Sequence, residues 1–287
     1  MDESPLEHLN FEVGDVHLHA VAAGPVNTPL VILLHGFPEF WYSWRHQIFP
    51  LAAAGFRVIV PDQRGYNVSS KPLRIADYSV PYLVSDVMAI ADQLGAERFF
   101  LAGHDWGAAV AWATAVLHPE RLRKLAILNV PHPEVFLRTV SRNPRQMLRS
   151  WYVAFFQLPA LPEWRFSRNN FRDGVRALLG SSQQGTFTAE DLDRYREAWS
   201  HPGTVTAMIN WYRAFYLHRP AVRDLQVHVP VYILWGKRDK FLLPEMAEAS
   251  VRYCDSAELK YFPEASHWLQ HEEPEAVNRA LIEWFGK

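Results

Sequence analysis

Short apolar stretches alternate with amphipathic stretches along the first half of the chain. Strands are predicted at Val16–Ala23, Leu30–Leu34, Arg57–Val60, Phe99–Ala102 and Leu122–Leu128. Helical spacing of apolar residues predicts helices at Trp41–Ala54, Val80–Leu94 and Ala108–Leu117. Strands that alternate with helices indicate parallel βαβ units, whose crossover helices cover both faces of a sheet. The predicted fold class is therefore α/β, with a mostly parallel central sheet.

The pattern changes between about residues 133 and 220. This stretch is rich in arginine and aromatic residues, is broken by proline and glycine, and contains no convincing strand. Strands are then predicted at Val229–Trp235 and Glu258–Phe262, and helices at Glu245–Arg252 and Pro274–Phe285. We therefore predict a first part of the core at 1–132, an inserted helical cap at 133–220 and a second part of the core at 221–287. Such an insertion places a cleft at the carboxyl ends of the strands.

The segment Gly103-His104-Asp105-Trp106-Gly107 joins a predicted strand to a predicted helix. Glycines two residues before and after Asp105 suit a tight corner that lifts one side chain above a sheet. A helix N-cap is the alternative role for this aspartate, but a cap does not need glycines on both sides. A carboxylate nucleophile attacks a saturated carbon and becomes an ester, which water must then cleave. The chain has no Gly-x-Ser-x-Gly segment, which disfavours a serine esterase or lipase.

The groups that such chemistry needs have candidates elsewhere in the chain. His267 follows the last predicted strand and is the candidate base for water, and Asp239 follows Val229–Trp235 and is the candidate acid that orients it. Nucleophile, acid and histidine in this order are typical of the α/β-hydrolase arrangement. The alternative position for the acid holds Asn129, which cannot carry the charge. The backbone amides of Phe37 and Trp106 are the candidate oxyanion donors.

These residues, together with two further segments, resemble the soluble epoxide hydrolase family over nearly the whole chain. The segments are His35-Gly36-Phe37-Pro38-Glu39 and Asp62-Gln63-Arg64-Gly65-Tyr66. The resemblance implies hydrolysis of lipophilic epoxides to vicinal diols through an aspartyl ester, without a metal or organic cofactor. It also implies a role in detoxification. Glu39 and His104 match the family pattern, but we assign them no catalytic role.

Two segments of the predicted cap add to the resemblance. Ser150-Trp151-Tyr152 and Asn210-Trp211-Tyr212-Arg213 resemble the two tyrosine segments of the family, which implies that Tyr152 and Tyr212 bind the epoxide oxygen. Ring opening generates an alkoxide, to which a phenol can donate a hydrogen bond and then a proton. The alternative is that both tyrosines are ordinary core residues.

The aromatic residues and arginines of the chain suggest further surfaces. With 11 Trp, 11 Tyr and 17 Phe, the chain can build an aromatic pocket for a lipophilic substrate. The predicted pocket residues are Trp41, Phe155, Phe156 and Trp211. Four arginines of the cap fall near helical spacing, and we expect them to form a solvated face rather than to meet an anionic surface. They are Arg138, Arg142, Arg145 and Arg149.

Charge and composition exclude several partners. A formal net charge of −2, from 29 basic and 31 acidic residues, disfavours nucleic acid as a partner. Cys254 is the only cysteine, and the sequence has neither a signal-peptide pattern nor an apolar run long enough to span a bilayer. We therefore expect a cytoplasmic protein without a membrane span, whose partners are a small epoxide and water. We expect a monomer or a homodimer.

Haloalkane dehalogenases are the alternative enzyme class, because they use the same aspartate chemistry. The indole N–H after the nucleophile, here Trp106, can bind a leaving halide. These enzymes usually have a second donor, often an asparagine directly after the His-Gly pair, where this chain has Phe37. A ligand receptor without catalysis would tolerate the loss of the triad, and the presence of Asp105, Asp239 and His267 speaks against it.

Overall fold

The structure is a computed structural model that describes residues 6–217 and 225–286. Within these residues, one sheet contains eight strands in the order β1-β2-β4-β3-β5-β6-β7-β8. The strands are β1 (Glu7–Val13), β2 (Val16–Ala23), β3 (Leu30–Leu34), β4 (Arg57–Pro61), β5 (Phe99–His104), β6 (Leu122–Leu128), β7 (Val231–Gly236) and β8 (Ala257–Phe262). β1 and β2 run antiparallel to their neighbours, and strands β3 to β8 are parallel. The predicted fold class is confirmed.

Twelve α-helices lie in the part of the chain that the structure describes. They are α1 (Arg45–Ala53), α2 (Val80–Gln93), α3 (Trp106–Leu117), α4 (Pro133–Arg142), α5 (Pro144–Arg149), α6 (Trp151–Phe155), α7 (Leu161–Ser181), α8 (Ala189–Ser200), α9 (Thr204–Leu217), α10 (Glu245–Val251), α11 (Leu269–Glu272) and α12 (Pro274–Gly286). Among these helices, none is long and apolar enough to cross a membrane.

The central strands are uninterrupted apolar runs because helices cover both faces of the sheet. Every residue of β3 is buried, and alternate residues point to opposite faces. Ile32 and Leu34 belong to the cluster that contains α2 and α3, whereas Val31 and Leu33 belong to the cluster that contains α1 and α12. The sheet is therefore the middle layer of three, and its carboxyl edge remains available for a site.

β1 is the strand that the hydrophobic pattern did not predict. Phe11 is its only buried residue, so the strand lacks the apolar alternation that would have revealed it. Gly14, with a φ of 60°, forms the turn that returns the chain into β2. The predicted helix Trp41–Ala54 also differs, because its first turn, Trp41–Trp44, is a 3₁₀-helix.

Helices α4 to α9 are inserted between β6 and β7, and we call them the inserted helices. The first of them begins at Pro133, and no strand lies between 133 and 217. The division into core and cap stays a prediction. The predicted boundary between residues 220 and 221 lies outside the described residues. α7 contains a kink at 168–171, where Asn169, Asn170 and Phe171 adopt left-handed backbone angles. The indole of Trp211 on α9 donates to the carbonyl of Arg64 at 2.9 Å, which ties the insertion to the core.

Arg64 also forms a buried ion pair with Asp86 of α2. Its Nε donates to Asp86 Oδ2 at 2.8 Å, and both side chains are almost fully buried. Burial raises the pKa of Asp86, an effect that the Arg64 guanidinium opposes. Because Arg64 joins α2 to the loop that contacts α9, the pair supports the contact between the core and the inserted helices.

We expect Arg64→Met to lower the free energy of unfolding by about 3 to 5 kcal/mol, because the buried Asp86 carboxylate loses its partner. Urea denaturation followed by circular dichroism measures the change. Arg194→Met is the matched control, since Arg194 pairs with Glu190 where both side chains are exposed, and it should have little effect. Adding Asp86→Leu to Arg64→Met should recover part of the loss. Equal destabilisation by Arg64→Met and Arg194→Met would contradict the expectation.

Candidate active site

Asp105 lies at the corner between β5 and α3, with a φ of 49°. This left-handed conformation is unfavourable for a residue with a Cβ, so the surrounding chain must hold it in place. A Cβ on Gly107 would collide with the carbonyl of Leu34, and a Cβ on Gly36 would collide with the Asp105 side chain. The glycines thus allow the loop after β3 to touch the corner after β5.

This contact brings a backbone amide to the carboxylate of Asp105. The N–H of Phe37 donates to Asp105 Oδ1 at 2.7 Å. The other oxygen, Oδ2, lies 3.4 Å from Nε2 of His267. Of the two predicted oxyanion donors, the Phe37 amide therefore lies at the carboxylate, and the Trp106 amide is adjacent to it in the chain.

His267 and Asp239 form a buried pair directly behind Asp105. His267 Nδ1 donates to Asp239 Oδ2 at 2.7 Å, and both side chains are almost fully buried. The other oxygen of Asp239 accepts the backbone N–H groups of Phe241 at 2.7 Å and of Leu242 at 3.0 Å. These hydrogen bonds fix the orientation of the Asp239 carboxylate toward His267.

Asn129, set aside as an acid in the sequence, supports Asp239 instead. Its Nδ2 donates to Asp239 Oδ2 at 2.8 Å, and its Oδ1 accepts the N–H of Gly236 at 3.0 Å. The same carboxylate oxygen therefore receives hydrogen bonds from both Asn129 and His267. Asn129 cannot supply a negative charge, but its hydrogen bond orients Asp239, which does.

The charges around His267 control its protonation. Burial lowers its pKa, but the negative charges of Asp239 and Asp105 outweigh this effect and raise the pKa of His267 to about 10. Burial likewise raises the pKa of Asp105, and the hydrogen bond with His267 more than offsets this, so the pKa of Asp105 is lowered. In the resting site the imidazole is therefore a cation between two carboxylates.

A second polar cluster lies beneath His267. His104 Nε2 donates to the backbone carbonyl of His267 at 2.8 Å, and its Nδ1 lies 3.2 Å from Glu39. Glu39 accepts a hydrogen bond from Tyr195 of α8 and another from His271, both at 2.7 Å. Burial raises the pKa of Glu39, but His271 and His104 hold it below its ordinary value. This buried carboxylate joins the core to the inserted helices.

Tyr152 on α6 and Tyr212 on α9 lie together above Asp105. Their ring centroids are 5.9 Å apart, and the ring of Tyr212 contacts Trp106 at 5.0 Å and Phe37 at 5.3 Å. Burial, and then the charge of Asp105, raise the pKa of Tyr212 well above its ordinary value. The phenol therefore keeps its proton and can donate it.

Two cavities meet at Asp105, Tyr152 and Tyr212. The larger, of about 540 Å³, also contacts His267 and contains the predicted pocket residues Phe155 and Phe156. The smaller, of about 90 Å³, is lined mainly by apolar residues. Its walls include Val130, Pro133, Phe136, Phe215 and Leu242. Both cavities suit a lipophilic ligand that has a polar group at Asp105.

The other two predicted pocket residues lie elsewhere. Among the described residues that line the two cavities at Asp105, Trp41 and Trp211 do not occur. Trp41 packs against its neighbours Phe40 and Tyr42, and Trp211 is buried behind Trp106. An aromatic side chain serves a core and a pocket equally well, so the sequence could not separate the two roles.

Several residues of the site gave no signal in the sequence. The ring of Phe241 packs edge-on against His267 at a centroid distance of 5.1 Å. Gln146 on α5 donates to the carbonyl of Phe241 at 2.8 Å, and Arg149 donates to the carbonyl of Asp239 at 2.8 Å. Only the spacing of Phe241, two residues after Asp239, could have indicated its place. The two polar contacts join α5 to the loop that carries the acid.

The chain is similar in sequence and fold to known proteins. Residues 29–274 match the sequence profile of the alpha/beta hydrolase fold family. The chain is 45% identical over 269 residues to the AB hydrolase superfamily protein YfhM of Bacillus subtilis, covering 94% of each chain. It is 41% identical over 278 residues to epoxide hydrolase 4 of Mus musculus, covering 94% of this chain and 77% of the other. An inhibitor-bound epoxide hydrolase from Bacillus megaterium superposes with a TM-score of 0.89 and 32% identity, covering 97% of this chain and 100% of that one.

We expect Asp105→Asn to lower the pKa of His267 from about 10 by about one unit or more, because the cation loses one of its two carboxylates. Titration of the imidazole by NMR measures the change, and the resonance is assigned by its absence in His267→Gln.

Asp255→Asn is the control for this titration. It removes a surface carboxylate that pairs with His228, and it should leave the His267 titration unchanged. An unchanged pKa of His267 in Asp105→Asn would show that Asp105 does not contribute to the charge balance described above.

Proposed function

This chain belongs to the epoxide hydrolase family of the α/β-hydrolase fold, and we propose that it hydrolyses lipophilic epoxides to vicinal diols through an ester on Asp105. The observation that carries the proposal is the arrangement of Asp105 between His267 and the pair Tyr152 and Tyr212. A carboxylate nucleophile, a base for water and two proton donors then surround one point of an apolar cavity.

In the first step Asp105 Oδ2 attacks a ring carbon of the epoxide. The carbon–oxygen bond of the ring breaks, and the electron pair moves to the epoxide oxygen. Tyr152 and Tyr212 hydrogen-bond that oxygen, and one of them donates its proton to it. Oδ1, which accepts the Phe37 amide at 2.7 Å, becomes the carbonyl oxygen of the ester.

Esterification prepares the second step because it removes the negative charge of Asp105. The pKa of His267 then falls, and the imidazolium returns a proton through solvent to the tyrosinate. Neutral His267, oriented by Asp239, takes a proton from a water that attacks the ester carbon. The amides of Phe37 and Trp106 stabilise the oxyanion. Collapse of the oxyanion breaks the bond between the ester carbon and the diol oxygen, and this oxygen takes the hydroxyl proton that the water brought to the ester carbon. The diol is released, Asp105 is again a carboxylate, and His267 keeps the other proton of the water and is again a cation.

The residue that follows the His-Gly pair weighs against the dehalogenase alternative. The second halide donor of that class is replaced here by Phe37, whose ring packs against Phe156 and Tyr212.

The two cavities support a specific substrate shape. The cavity of about 540 Å³ accommodates a long or aromatic substituent on one ring carbon, whereas the cavity of about 90 Å³ accommodates only a small group on the other. We propose terminal epoxides, or internal ones with one small substituent, as the preferred substrates. A cytoplasmic location, a role in detoxification and a monomeric or homodimeric state stay predictions from the sequence.

We expect His267→Ala to accumulate the covalent ester, because ring opening uses Asp105 but ester hydrolysis needs the base. Intact-protein mass spectrometry after incubation with styrene oxide should show an added mass equal to the whole epoxide. Peptide mapping should place it on Asp105.

Two controls define the result. Asp105→Asn in the His267→Ala background should take up no mass, and 1-bromobutane should leave no alkyl group on His267→Ala. An alkyl adduct from the bromide without one from the epoxide would move the function to dehalogenation. Absence of any adduct, together with full turnover by His267→Ala, would overturn the mechanism.

We expect Tyr212→Phe to slow ring opening by about 10²-fold, because one of the two donors to the alkoxide is lost. Single-turnover kinetics, followed through the change in intrinsic fluorescence, measure this step separately from ester hydrolysis. Tyr82→Phe is the control, because Tyr82 is an exposed residue of α2 and should have no effect. Full turnover by Tyr212→Phe would remove the two-tyrosine assignment.

A further inference from the structure

A cluster of large apolar side chains is exposed on the inserted helices. Of the large hydrophobic side chains that the described residues leave exposed, more than half fall between residues 147 and 179. Those with the largest surfaces include Leu148 at 75%, Trp151 at 62% and Trp164 at 58% exposure. The same group contains Met147, Leu158 and Leu161. Exposed apolar side chains that are concentrated in one segment indicate a surface that another body covers.

The same segment carries a large excess of positive charge. Residues 142–179 contain seven arginines and two acidic residues, a formal charge of +5, although the whole chain has a charge of −2. The remainder of the chain therefore carries −7. Charge separation of this size produces a positive field at the segment despite the acidic balance of the chain.

The two acidic residues of the segment do not neutralise this excess. Glu163 pairs with Arg213 at 2.7 Å. Asp173 alone faces four arginines of α7, at distances from 3.4 to 3.9 Å, and they are Arg165, Arg168, Arg172 and Arg176. One carboxylate among four guanidinium groups leaves most of their charge available to an anion outside the protein.

This surface surrounds the entrance to the active-site cavity. Leu148, Trp151, Arg165 and Arg176 line the cavity of about 540 Å³ that reaches Asp105, and all four are exposed to solvent. The cavity therefore opens among them. We call the exposed side chains of residues 142–179 the entrance surface.

We propose that the entrance surface docks on a lipid bilayer that contains anionic headgroups. Arginines bind lipid phosphates, and tryptophan and leucine side chains partition into the boundary between headgroups and acyl chains. In this orientation the cavity opens against the phase in which lipophilic compounds dissolve. Arg142 and Arg145, two of the four arginines predicted to form a solvated face, belong to this surface. The sequence pattern did not show that apolar side chains are exposed in the same segment.

The excess of arginines favours an anionic bilayer over an uncharged partner. The exposed Trp151 and Trp164 favour a bilayer over a small ion, because a small ion offers them no apolar contact. A bilayer provides phosphates and an apolar layer in the same plane, which matches the two components of the entrance surface. Docking needs no chemical step, so this proposal is independent of the proposed function.

Co-sedimentation of the full-length protein with sucrose-loaded vesicles tests the proposal. We compare phosphatidylcholine vesicles with vesicles that also contain phosphatidylglycerol, in the absence of any epoxide. Binding should be at least about tenfold stronger to the anionic vesicles at about 0.1 M salt and should fall steeply at about 1 M salt, where the Debye length shortens to about 3 Å.

Variants separate the apolar contribution from the charge. Arg172→Gln and Trp164→Ser should each weaken binding to the anionic vesicles by about fivefold. Arg279→Gln and Leu73→Ser are the matched controls, because both residues are exposed but lie outside the entrance surface. The controls should bind like the parent protein. Circular dichroism of each variant establishes that it is folded.

Three results would overturn the proposal. The first is equal binding to neutral and anionic vesicles, or binding to neither. The second is an equal loss of binding in the controls and in the variants of the entrance surface. The third is a dimer in vesicle-free solution, detected by sedimentation velocity and dissociated by Trp164→Ser, which would assign the surface to a second copy of the chain. A negative result leaves the ester-trapping experiment on His267→Ala unaffected, so the two proposals fail separately.

Discussion

The site depends on one close approach between two backbone segments. The loop after β3 reaches the carboxylate of Asp105 because neither Gly36 nor Gly107 has a Cβ to separate them. Only then can the Phe37 amide donate to Oδ1 at 2.7 Å, and only then is the strained corner at Asp105 held by its surroundings. Because β3 and β5 are neighbouring parallel strands, their carboxyl ends meet at one edge of the sheet. The topology thus brings the nucleophile and its hydrogen-bond donor together.

Charge balance then decides how the site works. A cationic His267 between Asp105 and Asp239 is stable while both carboxylates are ionised, which the raised pKa of about 10 reflects. This state would be a poor base, and it changes only when Asp105 loses its charge. In the proposed reaction, formation of the ester removes the negative charge of Asp105, because an ester is neutral. Asn129 and the amides of Phe241 and Leu242 hold the Asp239 carboxylate in the same position throughout.

The sequence predicted the parts of the molecule that follow from local patterns. Apolar runs such as Leu30–Leu34 correctly indicated buried parallel strands, and the glycines around Asp105 indicated the corner. β1 was missed because a strand at the edge of the sheet buries only Phe11. Trp41 and Trp211 were placed in the pocket because residue type does not reveal the direction of a side chain. Asn129 was set aside because its contribution comes from a contact with Asp239, 110 positions later in the chain, that no local pattern contains.

In the inserted helices, residues that are exposed at the surface are direct neighbours in sequence of residues that line or support the candidate active site. In α6, Trp151 is 62% exposed, while its neighbour Tyr152 lines both cavities at Asp105. In α5, Leu148 is exposed, while Arg149 donates to the backbone carbonyl of Asp239. A bilayer that contacts Leu148 and Trp151 therefore touches the residues next to Arg149 and Tyr152 in the chain. Arg149 contacts the loop that carries Asp239, and Tyr152 is a proposed proton donor. The same two short helices therefore line the entrance for a substrate and position groups of the site. The exposed apolar side chains of α5 and α6 thus lie directly beside residues that the proposed chemistry uses.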